Sequence, residues 1–568
     1  MGAITGTPSA IGSFNFTLQV SDSEVPPQTV AKSLTLTVNS TATAPMITSI
    51  SNTTFTVGTA GSFAVTTTGS PSPSLTESGS LPSGITFQDN GNGTAALSGT
   101  PPPGAKGNYS LTITATNGVG SPASQSFTLT VSAAVVFPLK VSANRRYLVD
   151  QHNIPFLMLG DSPQSMMANL SRSDMATYMA DRQAHGFNTI LVSILVDAST
   201  AGNADGTTFD GVAPFTRGTS PSDYDLSTPN SAYFSRLDSL VSMAASHDLL
   251  VMLNPIETRG WLTTLENNGA TRAFNYGAFL GNRYRKSPNI CWQSGNDFQD
   301  WNSNSIANNL VYQVMAGIAS TDPSHVQTIE LDYPASYSNQ DQATLGSVLT
   351  LDAAYTYFET YDEVLQAYNS LPTLPTFLTE ANYEYENNNN SFPGVADAFI
   401  LREQEYWAMT SGAAGLLYGS LHTWTFAPGW QSYLDSPGAL ELAYLDRLFN
   451  SIPWWNLVPD QNHQIVTAGY GAYDASNDNL RLATYATTAW SPDGSLAVVY
   501  DPAGSTLTVN LGEFGQPVTA AWYDPSNGTF TPITGSAFQN SGTMQFATPG
   551  KNSDGDSDWV LVLQAKMM

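Results

Sequence analysis

Eight short apolar segments separated by helical stretches occupy the middle of this 568-residue chain and constrain its fold more than any other feature. The predicted strands are residues 155–160, 188–195, 249–255, 290–297, 326–332, 351–357, 375–380 and 414–420. Amphipathic stretches lie between them, at residues 174–185, 232–247, 273–285, 396–410 and 439–449. Because eight strand and helix units can close into a ring, the pattern predicts a (β/α)8 TIM barrel over residues 138–456.

The segment before this barrel is β-rich and internally repeated. A Gly-Thr-Pro turn occurs at Gly6 and again at Gly99, and strands that alternate apolar residues with Ser or Thr follow each turn. This alternation is typical of a sheet that is buried on one face. It predicts a truncated immunoglobulin-like module at residues 1–42 and a complete immunoglobulin-like sandwich at residues 43–134. Half a sandwich leaves apolar edges exposed, so we expect residues 1–42 to pair with another segment or to be poorly ordered.

The last segment, residues 457–568, also consists of short apolar runs, for example residues 496–500 and 559–563. These runs predict a C-terminal β-sandwich, so that the whole chain is multidomain. Asp554, Asp556 and Asp558 have the spacing of alternate calcium ligands, but the rest of a calcium-loop signature is missing. We interpret them as a solvated turn, and we predict no metal and no cofactor for the chain.

Composition narrows the class of partner. With 46 acidic and 19 basic residues, the chain carries a net charge of −27, which repels nucleic acid and anionic membranes but not neutral polymers. The single cysteine, Cys291, excludes an internal disulfide and is expected to be a buried thiol. No apolar run approaches the ~18 residues of a membrane span. We expect a secreted or cell-surface monomer, and we interpret the chain, which shows no signal-peptide pattern at its start, as part of a larger protein.

Polar and aromatic residues follow most of the predicted barrel strands, where an α/β barrel gathers its functional side chains at one rim. They are Asp161 after the first strand, Glu257, Arg259 and Trp261 after the third, Asn296 and Asp297 at the fourth, Tyr357 after the sixth, Glu380 and Tyr383 at the seventh, and His422 and Trp424 after the eighth. Carboxylates and amides bind hydroxyl groups, and aromatic rings cover the apolar face of a sugar. Enzymes that cleave glycosidic bonds usually use a pair of carboxylic acids, and Asp297 and Glu380 are such a pair.

Several motifs sharpen this interpretation. They are Asn144-Arg145-Arg146-Tyr147-Leu148-Val149-Asp150, Leu159-Gly160-Asp161-Ser162, Arg283-Tyr284, Glu380-Ala381-Asn382-Tyr383-Glu384 and Ser411-Gly412-Ala413-Ala414-Gly415. Together they make residues 138–455 resemble the apiosidase-like glycoside hydrolases. The flanking segments resemble bacterial immunoglobulin-like modules and the collagen-binding type of β domain that follows such barrels. The resemblance implies that Asp297 is the acid/base and Glu380 the nucleophile. The family commonly has Gly-Gly-Asp where this chain has Gly295-Asn296-Asp297, a difference that bears on the substrate.

The expected function is therefore retaining hydrolysis of a plant or microbial polysaccharide or oligosaccharide. Retention requires the carboxyl groups of Asp297 and Glu380 to lie roughly 5 to 5.5 Å apart. Asn296 and Asp161 are expected to bind sugar hydroxyls, and Arg402 to pair with an acid of its own helix. A non-catalytic polysaccharide-binding or adhesion protein is the alternative, although such a protein has no need of two rim carboxylates. The sugar, the linkage and exo or endo action stay open.

Overall fold

The computed structural model describes residues 3–10, 12–38, 42–102, 105, 107–132, 135–388, 392–474 and 479–565. The chain separates into two compact units, Met1–Ala134 and Val135–Met568. Among the helices in these described ranges, none has both the length and the apolar character that crossing a membrane requires.

The first unit contains a hairpin and a β-sandwich. In the hairpin, Gly12–Ser21 pairs antiparallel with Thr29–Val38, and large side chains such as Val20 and Val30 are exposed. This hairpin is the described part of the predicted truncated module, whose residues 1, 2, 11 and 39–41 lie outside the described ranges. The sandwich consists of the strands Thr43–Ile47, Asn52–Thr56, Gly61–Ser70, Ser74–Gly79, Ile85–Asp89, Thr94–Gly99, Gly107–Thr116 and Ala123–Ser132, which form two four-stranded sheets. The immunoglobulin-like fold class is confirmed.

The second unit contains the barrel, in which all eight predicted strands are present. They are Met158–Asp161, Thr189–Ser193, Leu250–Asn254, Ile290–Phe298, Gln327–Leu331, Asp352–Thr356, Thr376–Glu380 and Gly415–Tyr418, preceded by a small sheet of Lys140–Val141, Leu148–Val149 and Pro155–Phe156. The helices are Met166–Asn169, Arg172–Ala184, Ser231–Ser246, Leu262–Tyr284, Ser305–Thr321, Gln342–Leu345, Thr360–Asn369, Ala398–Thr410, Leu421–Thr425 and Pro437–Asn450. The barrel strands are buried along their whole length, which explains their nearly continuous apolar sequences.

The barrel closes between its fifth and sixth strands through a side chain. The hydrogen-bonded sheet begins at the fifth strand and continues through the fourth, third, second, first, eighth and seventh strands to the sixth. The short strand Ala335–Tyr337 then pairs with the sixth strand in antiparallel orientation. Ser338 bridges the remaining gap, because its Oγ donates to the carbonyl of Ile329 at 2.6 Å and accepts from the N–H of Ala353 at 2.9 Å. The carboxyl ends of the parallel strands consequently meet at one rim.

The C-terminal part of this unit is a β-sandwich, as the sequence predicts. One sheet contains Val458–Pro459, Thr487–Trp490, Leu496–Asp501, Trp559–Ala565, Val518–Asp524 and Thr529–Pro532, and the other contains Val466–Ala468, Thr506–Asn510 and Thr543–Ala547. Apolar side chains from both sheets, including Leu507, Phe546 and Leu561, form its core.

Arg402 joins the barrel to this sandwich. Its guanidinium donates to Glu441 Oε2 at 2.6 Å, to Asp558 Oδ2 at 2.9 Å and to Asp556 Oδ2 at 2.7 Å. The prediction of a partner in the same helix is therefore wrong: Glu441 lies on the last barrel helix, and the aspartates lie in the C-terminal sandwich. The interpretation of the aspartate turn as solvated is also corrected at Asp558, which is fully buried against the arginine.

Replacing Arg402 with methionine is expected to destabilise the second unit by about 3 to 5 kcal/mol, because the change leaves buried carboxylates without their cation. The free energy of unfolding in urea checks this result. The matched control is Arg283→Met, which breaks a pair with Asp238 whose side chains are 28% and 46% exposed. Such a pair contributes at most about 1 kcal/mol. Equal losses in the two variants would contradict the proposed bracing by Arg402.

Candidate active site

The fourth barrel strand ends in a bulge that carries Asp297. Gly295 pairs with Glu330 and Phe298 pairs with Leu331, so that Asn296 and Asp297 are two extra residues between consecutive ladder positions. The φ angles of residues 295, 296 and 297 are all positive, at 96°, 75° and 52°. Glycine, Asn and Asp tolerate this left-handed backbone better than other residues. A bulge of this kind turns side chains out of the sheet, here towards the rim.

The loop after the third strand holds the bulge from the opposite side. The N–H of Thr258 donates to the carbonyl of Gly295 at 3.1 Å, and Thr258 Oγ1 donates to the carbonyl of Asn296 at 3.2 Å. The side chain of Asn296 is 5% exposed, and its Oδ1 has no hydrogen-bond partner among the described residues. This buried amide oxygen therefore has unused hydrogen-bonding capacity.

The carboxylate of Asp297 has one partner on each oxygen. The hydroxyl of Tyr355 donates to Oδ1 at 2.5 Å, and Arg259 Nη2 lies 3.0 Å from Oδ2. Glu257 shapes the loop that presents Arg259, since it accepts from the backbone N–H of Arg259 at 2.5 Å and of Gly260 at 3.0 Å. Burial raises the pKa of Glu257 to about 7. The third strand thus supplies a half-exposed cation beside Asp297.

Glu380 ends the seventh strand and faces two phenols. Tyr357 donates to Glu380 Oε1 at 2.6 Å, and Tyr383 donates to Oε2 at 2.8 Å. Burial raises the pKa of Glu380 well above its ordinary value, and the nearby charges of Glu330 and Asp297 raise it further. The rings of Tyr355 and Tyr357 have their centroids 5.3 Å apart. Two adjacent phenols therefore bind the two candidate catalytic carboxylates, which places Asp297 and Glu380 close together at this rim.

A third carboxylate, Glu330, lies beneath this pair. Its Oε1 accepts from the N–H of Asp297 at 3.1 Å, and its Oε2 accepts from Gln293 Nε2 and Thr379 Oγ1, both at 3.0 Å. Burial first, and then the charge of Asp297, raise the pKa of Glu330 to about 8. Glu330 and Tyr355 were not predicted from the sequence, although a glutamate within the apolar predicted strand 326–332 was a signal that could have identified Glu330.

Aromatic residues border the two carboxylates on the side of the eighth strand. Trp424 Nε1 donates to Glu386 Oε1 at 2.7 Å, and Asn388 Nδ2 donates both to Glu386 Oε2 at 3.0 Å and to the hydroxyl of Tyr357 at 3.1 Å. His422 lies nearby and stacks on a tyrosine ring with centroids 3.4 Å apart. Burial lowers the pKa of His422, so its imidazole is mostly neutral near pH 7. Both rim residues, Trp424 and His422, are partly exposed.

Three predicted substrate-binding residues turn into the protein. Asp161 is fully buried and pairs with the equally buried Arg182 at 3.3 Å. Trp261 is fully buried and stacks on Tyr224, with ring centroids 5.8 Å apart and an angle of 9° between the planes. Glu257 is also fully buried. None of these three described side chains presents a surface to a sugar, so we assign them to the support of the site. The other predicted substrate-binding residues lie in the candidate site: Asn296, Arg259, Tyr357, Tyr383, His422 and Trp424. Their contacts with a sugar stay a prediction.

Several solved structures with a similar fold are described as glycoside hydrolases. A glycoside hydrolase family 5 protein from Bacteroides vulgatus is 20% identical, with a TM-score of 0.64 over 75% of this chain and 93% of that one. Another glycoside hydrolase gives the same identity and TM-score over 75% of this chain and 97% of its own. A third structure, described as a "putative glycoside hydrolase" from Bacteroides vulgatus, is 11% identical with a TM-score of 0.53, covering 90% of this chain and 99% of that one. At these identities the likeness concerns the fold. No curated protein matches the chain.

The family comparison defines the class: this protein is an enzyme, a glycoside hydrolase. The model of the family described as "Apiosidase-like, catalytic domain" matches residues 142–456, which is more than half of the chain. The chain belongs to this apiosidase-like family. Two further models match the flanking segments, "Putative Ig domain" at residues 44–132 and "Putative collagen-binding domain of a collagenase" at residues 474–564. Family membership favours the enzyme over the binding-protein alternative.

Proposed function

We propose that the chain hydrolyses glycosidic bonds with retention of configuration, with Glu380 as nucleophile and Asp297 as acid/base. The observation that carries this proposal is the pair of neighbouring phenols, Tyr355 and Tyr357, which bind the two carboxylates from one strand end. A retaining mechanism needs two carboxyl groups in one pocket, about 5 to 5.5 Å apart. That separation remains a prediction.

In the first step, the Glu380 carboxylate attacks the anomeric carbon, the bond to the leaving oxygen breaks, and Asp297 gives its proton to that oxygen. In the second step, Asp297 takes a proton from water, the water oxygen attacks the anomeric carbon, and the bond to Glu380 breaks. Repulsion between the buried carboxylates, including Glu330, disfavours the state in which all three are charged. One proton shared within this cluster is then available for the leaving group.

The proposed substrate is a plant or microbial polysaccharide or oligosaccharide that presents a neutral sugar such as apiose. Asn296, whose Oδ1 is unpartnered among the described side chains, is proposed to bind the hydroxyl beside the anomeric carbon. Trp424 and His422 are proposed to border the sugar on the side of the eighth strand. A chain of net charge −27 with an immunoglobulin-like segment is consistent with action on glycans outside the cell.

A panel of apiose-containing and other neutral glycosides tests this proposal, with the newly formed anomer followed by proton NMR before it mutarotates. The expected result is hydrolysis with the anomeric configuration of the substrate retained. The Asp297→Asn, Glu380→Ala double variant, prepared in the same way, is the control for contaminating activity. Inversion would replace the double displacement with direct attack by water, and no hydrolysis of any glycan in a broad panel would overturn the proposed function.

A further inference from the structure

Glu330 accepts a hydrogen bond from the backbone N–H of Asp297, the proposed acid/base. We propose that Glu330 is a positioning residue that fixes the left-handed bulge of the fourth strand, so that the Asp297 carboxylate faces the leaving oxygen. This inference rests on the proposed function, because it assigns the role through the acid/base. Glu330 is fully buried and therefore has no surface of its own for a sugar.

The bulge requires an acceptor at this position. Asn296 and Asp297 lie outside the ladder between the fourth and fifth strands, so the N–H of Asp297 cannot bond to a backbone carbonyl in the regular pattern. A buried N–H group without an acceptor destabilises the conformation that buries it. Glu330 Oε1 provides the acceptor at 3.1 Å, and the bond is charge-assisted whenever Glu330 is ionised. The Glu330 side chain therefore helps to stabilise the left-handed backbone at Asp297, whose φ is 52°.

Glu330 is itself held by the strands on which the two catalytic residues lie. Gln293, on the fourth strand, and Thr379, next to Glu380 on the seventh, both donate to Glu330 Oε2. Thr379 Oγ1 also lies 3.1 Å from Gln293 Oε1. The carboxylate of Glu330 thus connects the strand that carries the acid/base to the strand that carries the nucleophile. A shift at either strand would be transmitted to the bulge through these bonds.

Charges surround Glu330 on several elements. Asp297 and Glu380 face it from the fourth and seventh strands, and Arg259 faces it from the loop after the third strand. The phenols of Tyr355 and Tyr383 lie within its electrostatic reach. Removing the carboxylate of Glu330 removes a like charge from beside Glu380, so Glu380 should ionise at a lower pH. This change in the pKa of Glu380 reports the loss of the Glu330 charge, whereas kcat reports the position of Asp297.

Two substitutions of Glu330 and one of Gly295 test the proposal. Glu330→Gln keeps an oxygen that can accept from the N–H of Asp297, whereas Glu330→Leu does not. We expect kcat to fall less than about 10-fold in Glu330→Gln and on the order of 100-fold in Glu330→Leu, the cost of a misplaced catalytic group. KM should change little, and the acid limb of the kcat/KM profile should move to lower pH in both Glu330 variants.

Gly295→Ala covers the case in which Glu330→Leu does not fold. A Cβ at Gly295 would lie 2.2 Å from the carbonyl oxygen of Glu330, so alanine disturbs the same bulge without changing its charge. We expect a fall in kcat like that of Glu330→Leu, with the acid limb in place. Wild-type kcat in a folded Glu330→Leu variant would overturn the positioning role of Glu330, whether or not the acid limb moves. Normal turnover by Asp297→Asn would overturn the proposed function, and this inference with it.

Discussion

Replacing Glu380 with alanine is expected to reduce kcat by on the order of 10⁴- to 10⁶-fold, because the covalent glycosyl-enzyme bond cannot form without the nucleophile. Azide should partly restore turnover of an activated aryl glycoside. The small anion can occupy the space left by the carboxylate, next to the hydroxyls of Tyr357 and Tyr383. It then attacks the anomeric carbon directly and gives a glycosyl azide of inverted configuration. The rate as a function of azide concentration and the product's NMR spectrum are the measurements.

The matched control for this experiment is Asp297→Ala with azide. Here Glu380 still forms the covalent intermediate, and azide attacks that intermediate in the second step. The glycosyl azide should therefore have the configuration of the substrate. The same azide product from both variants would contradict the assignment of the two roles. Failure of azide to rescue Glu380→Ala, together with an inverted product from the unaltered enzyme, would support direct attack by water.

The barrel could be predicted from the sequence because its strands are buried on both faces. Continuous apolar runs such as residues 290–297 and 375–380 are unlike the alternating strands of the flanking sandwiches, so the change of texture marks the domain. Polar residues at the ends of such runs, Asp297 and Glu380, were visible for the same reason. The direction of parallel strands then places both residues at one rim without knowledge of any side-chain contact.

The inward turn of Asp161 and Trp261 could not be predicted in this way. Whether a side chain beyond a strand end faces the pocket or the interior depends on a shift of one residue in the backbone, and a strand pattern does not fix that shift. Asp161 is drawn inward by Arg182, which is 21 residues away in sequence. Arg402 shows the same limit, because its partner Asp558 lies 156 residues further along the chain.

The bulge illustrates a second limit. Two extra residues in the fourth strand, Asn296 and Asp297, change which groups face the pocket, yet the run Gly-Asn-Asp is equally compatible with an ordinary turn. A role for Glu330 can be assigned only when the bulge is known, because Glu330 accepts a hydrogen bond from the N–H of a residue displaced from the ladder. A buried glutamate in a predicted barrel strand was the available signal, and its function depended on tertiary structure.

Replacing Asp297 with asparagine should separate proton transfer from nucleophilic attack. We expect kcat to fall roughly 10²- to 10⁴-fold for substrates whose leaving group needs a proton, the usual contribution of a positioned acid or base. Formation of the glycosyl-enzyme from an activated aryl glycoside should be nearly unaffected, since that leaving group departs without a proton. Steady-state rates for a series of leaving groups, with burst kinetics for the activated member, check these expectations.

The control is Tyr355→Phe, which removes the hydroxyl that donates to Asp297 Oδ1 at 2.5 Å but leaves the carboxylate in place. The fall in kcat in Tyr355→Phe should be smaller than in Asp297→Asn and should not depend steeply on the leaving group, because Asp297 can still transfer its proton. In the unaltered enzyme, Arg259 Nη2 lies 3.0 Å from Asp297 Oδ2. In Asp297→Asn, the new amide faces this guanidinium and is expected to displace it slightly. Near-normal turnover of a poor leaving group by Asp297→Asn would remove Asp297 from the acid/base role, because no displacement of Arg259 can supply the missing proton.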